Sequence, residues 1–280
     1  MKNLTAEIKR ELRLLNIRPK KSMGQNFLVN EGTYKKITET LELKPNETVI
    51  EVGPGLGILT DFLATTGANV IAVEKDDNLS EYLKNKFQYY KNVKIINEDI
   101  LLFKPNDYKK QIVDCSVVGN IPYYLTSRLI RNIFESNNWK ETKPKQVVLM
   151  IQKEVARRIT ARPPKMSLLA VSVQYYSKPK VISKVPRTNF YPQPEVDSAI
   201  IKMLPHKSSV SGVDDEKFFK VVKAGFSEKR KKISNNLSKQ LKIDKQKIIK
   251  ILEEINIDPG RRAETLTIEE WNKVAKQLVM

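Results

Sequence analysis

The sequence predicts an α/β protein in which a seven-stranded parallel sheet, wrapped by helices on both faces, is followed by a small all-helical domain. Three observations carry this reading. Between residues 33 and 205, short apolar runs alternate with stretches of helical period. One of those runs, Thr48–Val52, turns over Gly53, Gly55 and Gly57 and re-emerges at helical spacing, the pattern of a strand, a tight loop and a helix N-terminus. Beyond the linker-like stretch His206-Lys-Ser-Ser-Val-Ser-Gly-Val213, helical periods continue but no strand run recurs. A chain of 280 residues with 40% hydrophobic content has material for one sizeable core and a smaller second one.

In chain order, residues 1–32 are a basic arm followed by a segment of a different character. Residues 1–21 carry seven basic side chains (Lys2, Lys9, Arg10, Arg13, Arg18, Lys20, Lys21) against Glu7 and Glu11. Leu4, Ile8, Leu12 and Leu15 recur at helical spacing, so part of the arm is expected to form a helix docked on the body, the alternative being a solvated tail. Lys21-Ser-Met-Gly-Gln-Asn-Phe-Leu28 has neither period and mixes glycine, amides and one aromatic; a ligand-covering segment and an ordered linker share that composition. The sheet domain, 33–205, holds seven apolar runs at 48–52, 68–73, 93–97, 115–119, 147–151, 180–185 and 199–204. Residues 206–213 are the linker, and 214–280 the helical domain.

Charge narrows the partner. Fifty Lys and Arg against 32 Asp and Glu leave +18, and so basic a chain usually meets a polyanion, nucleic acid first. Residues 206–280 hold 17 Lys and Arg against 11 Asp and Glu, a net +6, leaving +12 for residues 1–205, so both domains are basic. Lys229, Arg230, Lys231 and Lys232, placed on the first helix of the small domain, are either a solvated face or phosphate contacts. One cysteine and one histidine exclude a disulfide framework, a Cys-rich metal site and most His-based catalysis, so no metal is expected. No apolar run reaches the ~18 residues of a membrane span, and the N-terminus is charged throughout. The expectation is a soluble, cytoplasmic monomer.

The glycine loop lets backbone approach a ligand wherever a Cβ is missing, and the following helix N-terminus directs N–H groups to the same place. Its Gly-x-Gly-x-Gly spacing is not a dinucleotide fingerprint, and no Lys-Ser/Thr follows to hold phosphate and magnesium, so a nucleoside without phosphates is favoured, the alternative being a structural turn with no ligand. Glu74 ends the second run, 21 residues after Gly53, where a carboxylate takes ribose hydroxyls; Asp99 follows the third. Ligands of open parallel sheets bind beyond the carboxyl ends of strands, so Gly53, Glu74 and Asp99 converge on one crevice, although acids after strands are also common helix caps.

The fourth run ends in Gly119-Asn-Ile-Pro-Tyr-Tyr124. Pro122 fixes φ and has no N–H, which helps present the Asn120 side-chain oxygen and the Ile121 carbonyl side by side. Two adjacent acceptors suit an exocyclic amino group, and Tyr123 offers a ring on which its base can stack. A strand-ending turn packed by aromatics is the alternative. The remaining prominent residues read as structural: Cys115 as core, Trp139 and Trp271 as packing, and His206 as exposed linker.

Glu51-Val-Gly-Pro-Gly-Leu-Gly57, Glu74, Asp99 and Asn120-Ile-Pro-Tyr123 resemble the motifs of S-adenosylmethionine-dependent methyltransferases acting on amino groups of bases. With Gly24-Gln-Asn-Phe-Leu28, Asn189-Phe-Tyr-Pro-Gln-Pro-Glu-Val-Asp-Ser198 and Arg261-Arg-Ala-Glu264, the chain from about residue 20 to its end is similar to the bacterial small-subunit ribosomal RNA adenine N6-dimethyltransferases. The macrolide-resistance 23S rRNA methyltransferases share most of the catalytic half, but Arg261-Arg-Ala-Glu264 and the helical tail favour the small-subunit family. The resemblance implies a Rossmann-like methyltransferase sheet, S-adenosylmethionine as cofactor, and dimethylation of adenosines in 16S ribosomal RNA, in the small subunit or its precursor. It implies that Asn26, Leu28, Gly53, Gly55, Glu74, Asp99 and Asn120 contact the cofactor. Asn120, Ile121, Pro122 and Tyr123 would then serve the target adenine, with Phe190 facing it. The basic arm falls outside that pattern. An RNA-binding assembly factor that has lost turnover is disfavoured because every catalytic position is present. A DNA adenine methyltransferase is disfavoured by the Phe190 segment and Arg261-Arg-Ala-Glu264.

Overall fold

The computed structural model describes residues 4–17, 19, 26–108, 112, 115–206 and 214–278, without the side chain of Tyr123. Lys2, Arg18, Lys20, Lys21, Gly24, Gln25 and the linker 207–213 therefore lie outside the described residues. The elements run α1 (Leu4–Leu14), β1 (Phe27–Leu28), α2 (Glu31–Leu41), β2 (Thr48–Val52), α3 (Ile58–Ala64), β3 (Asn69–Glu74), α4 (Asp77–Lys86), β4 (Val93–Asn97), β5 (Ser116–Asn120) and α5 (Thr126–Glu135). They continue β6 (Gln146–Gln152), α6 (Lys153–Ile159), α7 (Leu168–Tyr176), β7 (Ser177–Val185), β8 (Phe190–Tyr191), β9 (Ser198–Pro205), α8 (Asp215–Gly225), α9 (Ile233–Leu241), α10 (Lys245–Glu254) and α11 (Ile268–Leu278). Contacts divide the chain into two compact units, 1–156 with 180–205, and 157–179 with 206–280.

In the first unit, the seven long strands order as β4-β3-β2-β5-β6-β9-β7. The central strands are covered on both faces, so they read as unbroken apolar runs; every residue of β2 is buried. β4, at one edge, is only half-buried, and β7, at the other, carries Pro179 and the exposed Lys178, Lys180 and Lys184, which discourage another strand from pairing there. The sheet is mixed rather than parallel: β9 runs antiparallel to β6, with Ile201 opposite Leu149. A parallel return needs a crossover, usually helical, and residues 186–197 between β7 and β9 offer only a 3-10 turn and the two residues of β8. From β4 through β3, β2 and β5 to β6 the neighbours are parallel, and the order switches direction between β2 and β5.

The arm docks as its spacing predicts. Ile8 and Leu12 are buried with Leu56 of the glycine loop and Leu79 of α4, and Phe27, Val29 and Tyr191 pack on the same cluster. Lys9 Nζ stands 4.6 Å from the centre of the Tyr191 ring, a cation–π contact. Cys115 and Trp139 are core, as expected; the Trp139 indole N–H donates to Asn132 Oδ1 at 3.0 Å.

The second unit packs Phe218, Ile233, Leu237, Ile248, Leu252 and Trp271 together. The segment 157–179 belongs to this unit by contacts: α7 is apolar on nearly every side and adds Ala170, Val171 and Tyr175 to the same core. Gly225 permits the approach of α8 to α11, since a Cβ there would stand 2.3 Å from the Trp271 ring. Arg261 forks onto the Glu270 carboxylate and also donates to the Thr265 carbonyl, fastening the start of α11. His206 is half-buried rather than exposed, its Nε2 lying 3.0 Å from the Gln174 carbonyl.

The burial of α1 sets a measurable cost. Ile8→Ala removes a side chain with no exposed surface and is expected to destabilise the protein by ~2–4 kcal/mol in urea denaturation. A change within ~0.5 kcal/mol, the range of surface substitutions, would contradict the docking of this helix.

Candidate functional site

A cavity of about 370 Å³ lies beyond the carboxyl ends of β2, β3, β4 and β5, at the point where the strand order switches. Its walls include Asn26, Leu28, Gly53, Gly55, Glu74, Asp99, Asn120, Ile121, Pro122 and Phe190, so these sequence-chosen positions are neighbours in space. The backbone of Tyr123 begins a 3-10 turn at 123–125, and its side chain lies outside the description.

The three glycines of the loop all have positive φ, at 64°, 59° and 74°, which explains their residue type. They do different things. At Gly53 nothing lies within 4 Å of where a Cβ would stand, so this position is open to a ligand. At Gly55 a Cβ would stand 3.3 Å from the Phe27 ring. Gly57 is required by packing instead of by approach to a ligand: a Cβ there would meet Phe87 at 2.6 Å and Leu83 at 2.7 Å, and the residue does not line the cavity.

Glu74 is 8% exposed. Its Oε2 accepts the Gly55 N–H at 3.2 Å and its Oε1 the Asp76 N–H at 3.0 Å, which ties the glycine loop to the end of β3. Burial pushes its pKa up, and these two N–H groups oppose the shift. Each oxygen keeps a further lone pair for a hydroxyl. Capping of α4 falls to Asp76, whose Oδ1 accepts from Asn78 and Leu79, so the bland role of an acid after a strand is filled by a neighbour. Asp99 is half-buried; burial works against its ionisation, but Lys75 Nζ at 2.9 Å and the Leu101 N–H at 3.0 Å outweigh this and hold it below the usual carboxylate range.

At the end of β5, Asn120 Nδ2 donates to the Asn26 carbonyl at 3.1 Å. With that nitrogen committed, Oδ1 is the acceptor the amide offers to the cavity. Asn26 leads into β1, and β1 pairs with β8: Leu28 opposite Phe190, Phe27 opposite Tyr191. Phe190, 4% exposed, is thereby placed on the wall, and Tyr34 Oη buttresses the pair by donating to the Leu28 carbonyl at 2.8 Å. Val29 N–H to the Asn189 carbonyl, at 2.7 Å, extends the link.

Two cavity residues were missed as candidates. Glu51, 1% exposed in the middle of β2, faces the cavity and accepts from Thr60 Oγ1 at 2.6 Å; its signal was a carboxylate inside an otherwise apolar strand. Lys75 had no signal beyond following Glu74. The basic run is elsewhere: Lys229, Arg230, Lys231 and Lys232 are exposed in the second unit, in the turn between α8 and α9 and not on a helix. α8 stops at Gly225 because Asn236 Nδ2 takes the Gly225 and Glu228 carbonyls, at 2.7 and 3.0 Å, that a continuing helix would have used.

Burial raises the Glu51 pKa from an ordinary 4.5 to about 8. A carboxyl that binds its proton more tightly when folded costs stability as pH rises through that window, and costs nothing below it. Glu51→Gln is therefore expected to leave the urea midpoint unchanged near pH 4.5 and to raise it at pH 8. A gap between the two proteins that stays constant with pH would contradict the shift.

A family model described as ribosomal RNA adenine dimethylase matches residues 16–278. The ribosomal RNA small subunit methyltransferase A of Dehalococcoides mccartyi is 43% identical over 273 residues, 97% of this chain and 92% of the relative. Its counterpart in Bacillus cytotoxicus is 40% identical over 270 residues, 93% of this chain and 91% of the relative. Among solved structures, a dimethyladenosine transferase from Plasmodium falciparum superposes with a TM-score of 0.75 at 25% identity, covering 89% of this chain and 95% of that one. The 23S rRNA methyltransferase ErmE superposes at 0.71 with 26% identity, covering 91% and 100%. The strand order, the cavity beyond its switch point and a sequence match over nearly the whole length make this chain a member of the ribosomal RNA adenine dimethylase family.

Proposed function

We propose that this protein transfers methyl groups from S-adenosylmethionine to the exocyclic N6 of adenosines in small-subunit ribosomal RNA, twice at each nitrogen. The observation that carries the reading is the convergence of the Asn120–Ile121 acceptor pair and Phe190 with the glycine turn, Glu74 and Asp99 in one cavity. Similarity to the small-subunit enzymes, at 43% identity, exceeds that to ErmE, at 26%, which places 16S RNA ahead of 23S RNA.

The residues suit the cofactor. Glu74 and Asp99 give the cavity carboxylates that match a ligand carrying sulfonium and ammonium charge, while Glu51, its pKa raised to about 8, is held protonated at neutral pH. Glu74 would take the ribose hydroxyls and Asp99 the adenine amino group, with Asn26, Leu28 and the Gly53–Gly55 backbone against the remainder. When bound, S-adenosylmethionine supplies an electrophilic methyl group. The protein's part is to make N6 a nucleophile. Its lone pair is delocalised into the purine until the amino group moves towards tetrahedral geometry, and hydrogen bonds from its hydrogens to Asn120 Oδ1 and the Ile121 carbonyl favour that movement. Phe190 holds one face of an extruded base, positioning it for in-line attack, and Tyr123 is proposed for the other. No strong base is needed, because the product ammonium loses its proton readily to water. His206 takes no part; it is not among the cavity residues. After one transfer the remaining N–H can still be held by either acceptor, so the arrangement permits a second.

The helical unit would dock the RNA through Lys229, Arg230, Lys231 and Lys232. The site of action is the cytoplasm, where the small subunit is assembled; among the described residues no helix is long and apolar enough to cross a membrane.

The test is incubation with labelled S-adenosylmethionine and under-methylated small subunits, followed by mass spectrometry of the nucleosides. N6,N6-dimethyladenosine is expected at the end point, and accumulation of the monomethyl form alone would overturn the double transfer. Asn120→Ala is expected to lose ~10²-fold or more in turnover while binding the cofactor only modestly worse, as for loss of one preorganised acceptor. Replacing the four basic residues by alanine should weaken RNA binding and flatten its salt dependence, each lost phosphate contact removing roughly 0.7–0.9 from the slope of log K against log salt. An unchanged slope would mean that these side chains are only solvated.

A further inference from the structure

The exposed face of α5 continues from the cavity mouth and is not used by the chemistry above. Tyr124 lines the cavity, yet 60% of it is in solvent. It lies in the 3-10 turn that runs straight into α5, so Arg128 and Arg131 follow at i+4 and i+7 and share its face. Leu129, Ile130 and Ile133 are buried on the other side, which fixes the outward orientation of both exposed arginines. Arg131 Nε reaches back to the Ser127 carbonyl at 3.4 Å. Arg128 acts electrostatically on Asp99, whose carboxylate is already paired with Lys75. The one acid of α5, Glu135, stands at its far end.

We propose that Tyr124, Arg128 and Arg131 form a track for the single-stranded RNA that flanks the target adenosine, Tyr124 stacking on the neighbouring base and the two guanidiniums taking phosphates. This deepens, and rests on, the RNA reading given above. An adenosine drawn out of its stack leaves a neighbour unstacked, and an exposed aromatic ring beside the cavity replaces the lost partner. Stacking tolerates any base, since all have a π-face. Arginine suits the second task because its planar fork matches phosphate oxygens in pairs. From Tyr124 to Arg131 a helix rises about 10 Å, the span of roughly three nucleotides at ~3.4 Å each in a stacked strand.

Steady-state methyl transfer to under-methylated small subunits would be compared for the parent, Tyr124→Ala, Tyr124→Trp and the double variant Arg128→Ala with Arg131→Ala, with cofactor affinity measured separately by calorimetry. Tyr124→Ala is expected to raise the RNA KM ~10-fold or more with cofactor affinity unchanged, and Tyr124→Trp to restore it. The double variant should lower the salt slope of RNA binding by roughly 1.4, two single-strand phosphate contacts. p-Azidophenylalanine at position 124 should photocrosslink to RNA within those subunits. Parent-like KM and slope in the variants, or a crosslink to a ribosomal protein in place of RNA, would overturn the track. A parent that places no label in small-subunit RNA would sink the functional reading itself, and the track with it.

Discussion

The mouth of the sheet depends on how the chain is held as it leaves β2, and a buried carboxylate holds it. Glu74 bridges the backbone of two loops, taking Gly55 N–H with one oxygen and Asp76 N–H with the other. Gly53 N–H is taken by the Val73 carbonyl at 3.0 Å, one residue before it. Three consecutive features, the open turn at Gly53, the wall at Gly55 and the cap of α4 at Asp76, are therefore referred to the end of one strand. Burial makes this arrangement costly for a charged group, and the backbone donors offset part of that cost. Glu51, earlier in β2, accepts from Thr60 Oγ1, and burial outweighs that bond and raises its pKa to about 8. Carboxylates kept at such expense beside a cavity mark a binding site more often than a structural one.

The opposite wall is held by a different principle, pairing across a great distance in sequence. Asn120 is tied to Asn26, and Leu28 to Phe190, so the segment at Asn26–Leu28 meets both the end of β5 and the aromatic on β8. α1 closes the set, since Ile8 and Leu12 pack against Leu56, and Phe27 and Tyr191 join that cluster. The glycine loop, β1 and β8 thus share one hydrophobic patch, and a displacement of any of them is felt by the other two.

What was legible in the sequence follows from this difference. Central strands buried on both faces appear as apolar runs, and the edge strands β4 and β7 keep short apolar stretches of their own, so all seven were located from residue type, and Glu74 was found by its distance from Gly53. β1 and β8 are two residues each, far apart in the chain, and have no local period at all; only the resemblance gave Leu28 and Phe190 as site residues. The antiparallel β9 was not legible because an apolar run does not record its direction. Gly57 was assigned to ligand approach because glycine looks alike whether the space is filled by a ligand or by Phe87. The basic run was placed on a helix because the side chain that ends α8, Asn236, comes eleven residues after Gly225 and acts through tertiary contact.

Charge is sorted by distance from the strand ends. The chain carries +18, yet Glu51, Glu74, Asp76, Asp77, Glu98 and Asp99 line the cavity. An acidic cavity repels RNA, while a basic exterior attracts it and raises the rate of encounter. On the proposed reading the two demands do not conflict, because they concern different ligands at different depths. The positive groups of the nucleoside offset part of the inner carboxylate charge before the target base, itself neutral, has to approach it. The phosphates of the same RNA stay at the rim, where Lys75 already answers Asp99 and Arg128 stands in the open. A neutral base entering the cavity, with its charged backbone left outside, avoids the desolvation that burying an unpaired phosphate would impose.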